Sequence, residues 1–225
     1  MENIGALVPF LIVCVVVVVI IFAIIASQRR KKELRAWAES KGLTFNASSN
    51  YQVDNQLPFR CLKHGHSRAA FNFINGVYKN HGLYVFDFRY KTGSGKNQQT
   101  HTLTVVTVDA HLPLKPLYIR REHFFDKMSE FVGFDDIDFE WKEFSDAFFV
   151  KATDKKWAYD VIHQEMMEYL MLVPKYEIEM GGPMVAVWNS RILAVDEIEI
   201  TIDVMHGILN RFPDYLVKEL KAEQS

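Results

Sequence analysis

Three clusters in this chain carry residue types that do chemistry. Gly93-Ser94-Gly95-Lys96 has the small residues and the lysine of a phosphate-cradling loop. A P-loop, however, needs Gly five positions before Gly95, where Tyr90 stands, and Ser or Thr after Lys96, where Asn97 stands. It also needs a following helix whose amides point at the anion, whereas this stretch separates two strand-like runs. It therefore reads as a hairpin loop, with Lys91 and Lys96 left as candidates for a phosphate or a lipid headgroup. Asp136, Asp138 and Glu140 alternate with Ile137, Phe139 and Trp141, so an extended backbone would put three carboxylates on one face, as a metal-dependent hydrolase requires. The glycine of a helix-loop-helix calcium site is missing, and solvated charges that block strand aggregation are the plainer reading. Cys61, His64 and His66 offer three soft ligands without a fourth, at a spacing that suits a turn around Gly65. His163 lies on a polar flank, no glycine-framed nucleophile elbow occurs, no catalytic triad can be assembled and no cofactor is implied.

The elements that must carry these groups begin with an uncharged run over residues 4–26, rich in Val, Ile and Leu, followed by Arg29, Arg30, Lys31 and Lys32. As a helix the run spans about 34 Å, against a hydrocarbon core of about 30 Å. Its length, the lone Glu2 before it and the Ala23/Ala26 spacing argue against a cleaved secretory signal. Residues 1–27 thus read as a single-pass anchor, with the N-terminus outside and the rest in the cytosol. The basic residues Arg29, Arg30, Lys31, Lys32 and Arg35 are expected to contact the membrane surface. Cys14 falls in the anchor and Cys61 beyond it, so no disulfide frame exists and the soluble part must stand on its own core.

Residues 28–45 read as a basic juxtamembrane helix and its exit, with Leu34, Trp37, Ala38 and Lys41 on one face and Gly42 as terminator. Residues 46–225 read as an α+β domain, β-rich over 46–121 and mixed over 122–225. Strands over 69–74, 83–90 and 102–108 are separated by turn formers at Asn75-Gly76, Asn80-His81-Gly82 and 92–97, which predicts an antiparallel meander. Tyr84, Phe86 and Phe88 share one strand face and point to a core. Pro113 and Pro116 predict an extended exit that is no central strand. A β-α-β-β-α order follows: a helix over 122–132, a strand over 148–152, a helix capped by Asp154 and running to Pro174, a hairpin folded at Gly181-Gly182-Pro183, and a helix over 196–212.

The stretch 85–97, with its Tyr-x-Thr-Gly-Ser-Gly-Lys-Asn loop, followed by Asp136-Ile137-Asp138-Phe139 and Glu143-Phe144-Ser145, resembles a family of uncharacterised bacterial single-pass membrane proteins. The segment 144–172 is more distantly similar to a bacterial membrane family of unknown function. The resemblance implies a bacterial origin and so a place in the cell inner membrane, an N-terminal anchor, a basic helix and a β-rich half preceding the acidic motif, and it assigns no catalytic residue.

Charge is uneven. Residues 36–125 hold 11 Lys and Arg against 5 Asp and Glu, and residues 126–225 hold 10 against 21, so a basic half adjoins the anchor and an acidic half lies beyond it. Nucleic acid is not expected as a partner of so acidic a distal half. The sequence points to a membrane-anchored cytosolic interaction or scaffold domain whose partners are the lipid bilayer and a protein. A metal-dependent hydrolase and an anionic-lipid or phosphate-binding module are the alternatives.

Overall fold

The computed structural model describes residues 4–122 and 134–223. Its first element, α1 (Ile4–Ser40), is one uninterrupted helix with two environments. Side chains from Phe10 to Ile25 touch no other part of the protein's core and stand exposed, so this apolar stretch fits a membrane anchor. In the last turns Leu34, Trp37 and Ala38 are buried, as the helical spacing of these residues requires. The helix ends in a Schellman motif: Leu43 N–H donates to Ala38 O at 2.8 Å and Gly42 N–H to Glu39 O at 3.2 Å, with Gly42 at φ +70°.

The chain turns back into β1 (Thr44–Asn46), crosses the sheet through the short α2 (Val53–Gln56), and enters β2 (His66–Tyr78), β3 (His81–Thr92) and β4 (Gln99–Arg121). β5 (Asp135–Asp136), α3 (Lys142–Ala147), β6 (Phe148–Ala152), α4 (Lys155–Val161), α5 (Gln164–Leu172), β7 (Glu177–Trp188), α6 (Val195–Leu209) and α7 (Asp214–Glu223) complete the order. All pairings are antiparallel and run β1-β2-β3-β4-β6-β5, with β7 along the other side of β4. The expected α+β class and the β2-β3-β4 meander are present. The turn between β2 and β3 lies at Lys79-Asn80, both with positive φ as a type I′ turn demands, and Asn75-Gly76 lies within the β2 ladder.

Two expectations fail for one reason. β4 is a central strand in spite of Pro113 and Pro116, and Gly181-Gly182-Pro183 makes a bend within β7 instead of a hairpin. β4 lies between β3 and β7 in its first half and between β6 and β7 in its second. Register shifts fall between Asp109 and Leu114 and again before Leu117, so both prolines sit at interruptions where a missing N–H costs no ladder bond. β7 bends at the same level, where Gly182, opposite Leu114, takes φ +57°. The helix expected from Asp154 to Pro174 is two: Asp154 does cap α4, accepting from Trp157 N–H at 3.2 Å, but His163 is extended and α5 restarts after it. Of the helix expected over 122–132, residues 123–132 lie outside the described residues.

Both faces of the sheet are covered. On one, the end of α1 packs with Ile74, Leu83 and Val85 and with the helices that follow β6; on the other, Val53, Phe59, Cys61 and Leu62 pack over Phe86, Phe88, Val105 and Tyr118. Of the expected aromatic row, Phe86 and Phe88 are core while Tyr84 is 47 % exposed.

Gly207 in α6 is required by a close approach. A Cβ there would lie 2.0 Å from Tyr169 Oη, and the Tyr169 ring is held by Arg211 stacked 3.9 Å from its centroid. Gly207→Ala is therefore expected to destabilise the protein by about 1–3 kcal/mol through overpacking, against the gain of about 1 kcal/mol that Ala brings to an open helix position. Urea unfolding of the detergent-purified chain checks the sign.

Candidate functional site at the helix–sheet junction

Asp87 sits in the middle of β3 between Phe86 and Phe88 and is only 2 % exposed. A carboxylate in such a place must be fully partnered. Three elements supply the partners. Thr104, its direct neighbour on β4, donates from Oγ1 to Oδ1 at 2.8 Å. Asn72, at φ +55° in a bulge of β2, donates from Nδ2 to Oδ2 at 2.9 Å. Arg30 reaches in from α1 and donates from Nη2 to Oδ1 at 3.0 Å and from Nε to Oδ2 at 3.3 Å, a bidentate fork. The remaining Arg30 nitrogen, Nη1, donates to Leu193 O at 2.6 Å, and Leu193 N–H donates to Thr104 Oγ1 at 3.0 Å. The helix α1, the sheet and the approach to α6 thus meet on one buried ion pair. Farther along α1, Glu199 of α6 accepts from Trp37 Nε1 at 2.8 Å and pairs with Lys41 at 2.7 Å, and these partners hold its carboxyl below the usual range.

The basic residues after the anchor therefore divide. Arg30, expected at the membrane surface, is turned into the protein, where its guanidinium meets the buried Asp87 carboxylate. Arg29 is exposed and paired with Glu33 at 2.7 Å, Lys32 is exposed, Lys31 is half-buried, and Arg35 lies over the Phe45 ring at 5.4 Å. Lys91 and Lys96 share the β3–β4 hairpin, where Lys91 Nζ donates to Gln98 Oε1 at 3.1 Å and Lys96 is exposed in a single 3-10 turn.

The acidic row is not gathered. Asp136 lies 3.4 Å from Lys151 Nζ, Asp138 and Glu140 are exposed, and Ile137 and Phe139 between them are buried. Among the described residues no three His, Cys, Asp or Glu side chains form a metal-holding group, so neither this row nor Cys61 with His64 and His66 makes one. Cys61 is buried, which pushes its thiol up; His66 bonds Gly93 O at 3.0 Å; His163 bonds Arg211 O at 2.8 Å.

A cleft of about 570 Å³ opens between residues 58–64, Pro116, Phe134 and the bend of β7. Arg60, Lys63 and His64 line it together with Glu179, 9 % exposed, whose carboxylate accepts the Arg60 amide at 2.8 Å; desolvation raises the Glu179 pKa to about 7. Sequence reasoning passed over Glu179 because charges alternating with Ile178 look like a solvated strand face.

No protein-family model matches the chain, and no curated protein matches it. Among solved structures, the crystal structure of the mycobacterial trehalose monomycolate transport factor A is similar, with a TM-score of 0.60 over 81 % of this chain and 96 % of that one. At 12 % identity the likeness is one of fold.

Two outcomes follow from the buried charges. Asp87→Ala leaves Arg30 and Asn72 without their acceptor and is expected to cost about 3–5 kcal/mol, while Arg30→Met combined with Asp87→Leu recovers part of that loss. Thermal unfolding with amide exchange over residues 28–42 measures both the cost and the release of the helix. For Glu179 the folded pKa lies above the unfolded 4.5, so the folded state binds the extra proton and stability falls as pH rises from 4.5 to about 7. Glu179→Gln keeps an acceptor for the Arg60 amide and should add about 1–3 kcal/mol at pH 8 and nothing at pH 4.

Proposed function

We propose that this chain is a membrane-anchored scaffold whose α+β domain is held in a fixed pose at the cytosolic leaflet to receive a protein partner. One observation carries the reading: the helix that fits the anchor is also a core element of the domain, through Arg30 on Asp87 and through buried Leu34, Trp37 and Ala38. A domain joined in this way has no hinge between Ala26 and the sheet. The cytosolic side follows from Arg29, Lys31 and Lys32 after the apolar stretch, since basic flanks resist translocation. The similarity to a protein described as a transport factor agrees with an auxiliary role at a membrane.

Two measurements test it. Alkaline phosphatase fused after Ser225 should be inactive in a bacterial host, and activity there would reverse the topology. Affinity capture from detergent-solubilised membranes should recover a protein with the full chain that an anchor-only control does not; equal recovery by both would sink the scaffold reading.

A further inference from the structure

Because Arg30 fixes α1 against the sheet, the direction of every strand relative to the anchor can be read off. Lys41, near the end of α1, lies over the ring of Tyr78 at 5.9 Å, beside the β2–β3 turn. Arg35 lies over Phe45, which pairs with Ile74, and Arg30 sits on Asp87. Each step toward the apolar end of α1 is thus a step along β3 toward Thr92. From Arg30 to Ala26 the helix rises only about 6 Å. From Asp87 to Lys91 the strand advances about 13 Å. The β3–β4 hairpin is therefore the part of the sheet that points to the membrane end of α1, and it is long enough to reach the plane at which α1 becomes apolar.

The hairpin suits an anionic surface. From Phe88 to Val108 the chain has no Asp or Glu, while Arg89, Lys91 and Lys96 all lie in its membrane-proximal part. Among the described residues none of these three is paired with a carboxylate; Arg89 is exposed above the Phe71 ring and Lys96 is exposed at the tip. Long lysine stems let the ammonium groups seek phosphates while the strand stays in its ladder. We infer that the β3–β4 hairpin is a second membrane contact, lying on anionic phospholipid headgroups beside the anchor through Arg89, Lys91 and Lys96. The inference rests on α1 being the anchor, and it adds a surface that the scaffold reading does not require.

The test uses the full chain in nanodiscs. A fluorophore is placed by Ser94→Cys at the hairpin tip or by Lys79→Cys at the opposite turn, in a Cys14→Ala background where Cys61 stays buried. The discs contain phosphatidylethanolamine and phosphatidylglycerol with a headgroup nitroxide as quencher. Quenching is expected for the Ser94 probe and not for the Lys79 probe. Because the pose is fixed by α1, the charge is read from lipid enrichment: the nitroxide carried on phosphatidylglycerol should quench the Ser94 probe more than the same nitroxide on phosphatidylethanolamine, and Lys91→Gln with Lys96→Gln, or raising salt from about 0.1 M to about 1 M so that the Debye length shortens to about 3 Å, should remove that excess. Equal quenching at the two positions overturns the inference. So does quenching at Ser94 that is the same with the nitroxide on either lipid and unchanged by salt and by the double substitution. A chain that fails to enter discs refutes the anchor itself. Partner capture that fails while Ser94 quenching persists removes only the scaffold, and the reverse result removes only the hairpin contact.

Discussion

The buried pair between Arg30 and Asp87 is the constraint on which the other arrangements rest. An ionised carboxylate inside a sheet is tolerated only when its lone pairs are filled and its charge is met. Asn72 and Thr104 fill lone pairs from within the sheet, but only Arg30, arriving from another element, supplies the charge. The sheet interior is therefore complete only when α1 is docked. The same guanidinium holds Leu193 O, so the segment entering α6 is placed by that docking as well. Such a pair adds little net stability beside an apolar replacement, and what it fixes is register: one side chain of α1 is matched to one position of β3.

Much of the fold was legible because local and long-range preferences agree there. The spacing of Leu34, Trp37 and Ala38 gave the buried face of α1, Asp154 behaved as a cap, and aromatic and β-branched runs gave the meander. The misreadings fall where tertiary pairing overrides local turn chemistry. Asn75-Gly76 has a turn's composition, yet Lys79-Asn80 closes the hairpin because that register lets Ile74 face Val85 and β1 pair alongside. Pro113, Pro116 and Gly181-Gly182-Pro183 are strand breakers taken singly; paired across β4 and β7 they form one shared bend.

The junction was half legible. Among four adjacent cations, composition alone gives no reason to single out one. Periodicity does: Arg30, Leu34, Trp37 and Ala38 stand at i, i+4, i+7 and i+8, so Arg30 continues the buried stripe while Arg29 and Lys32 leave it. The matching signal is Asp87, a lone carboxylate among Val85, Phe86 and Phe88 in a strand whose two faces are both buried. Recognising that requires knowing the second face is covered, which depends on residues 53–62 folding over it. No local pattern in β3 reveals that cover.

The geometry also bears on the proposed scaffold role. A domain on a flexible tether samples many orientations and meets its partner through raised effective concentration alone. Here α1 ends at Ser40, Gly42 closes it, and β1 begins at Thr44, so the sheet domain begins where the helix that carries the apolar stretch ends. The membrane normal is then carried into the sheet as a fixed direction. On that proposal, a partner that also resides in the bilayer would meet this domain with most of its rotational freedom already spent, so a modest contact area would serve for binding. The selectivity of such a contact would then lie in height above the leaflet as much as in side-chain chemistry, and the pair that would set the height is Arg30 on Asp87.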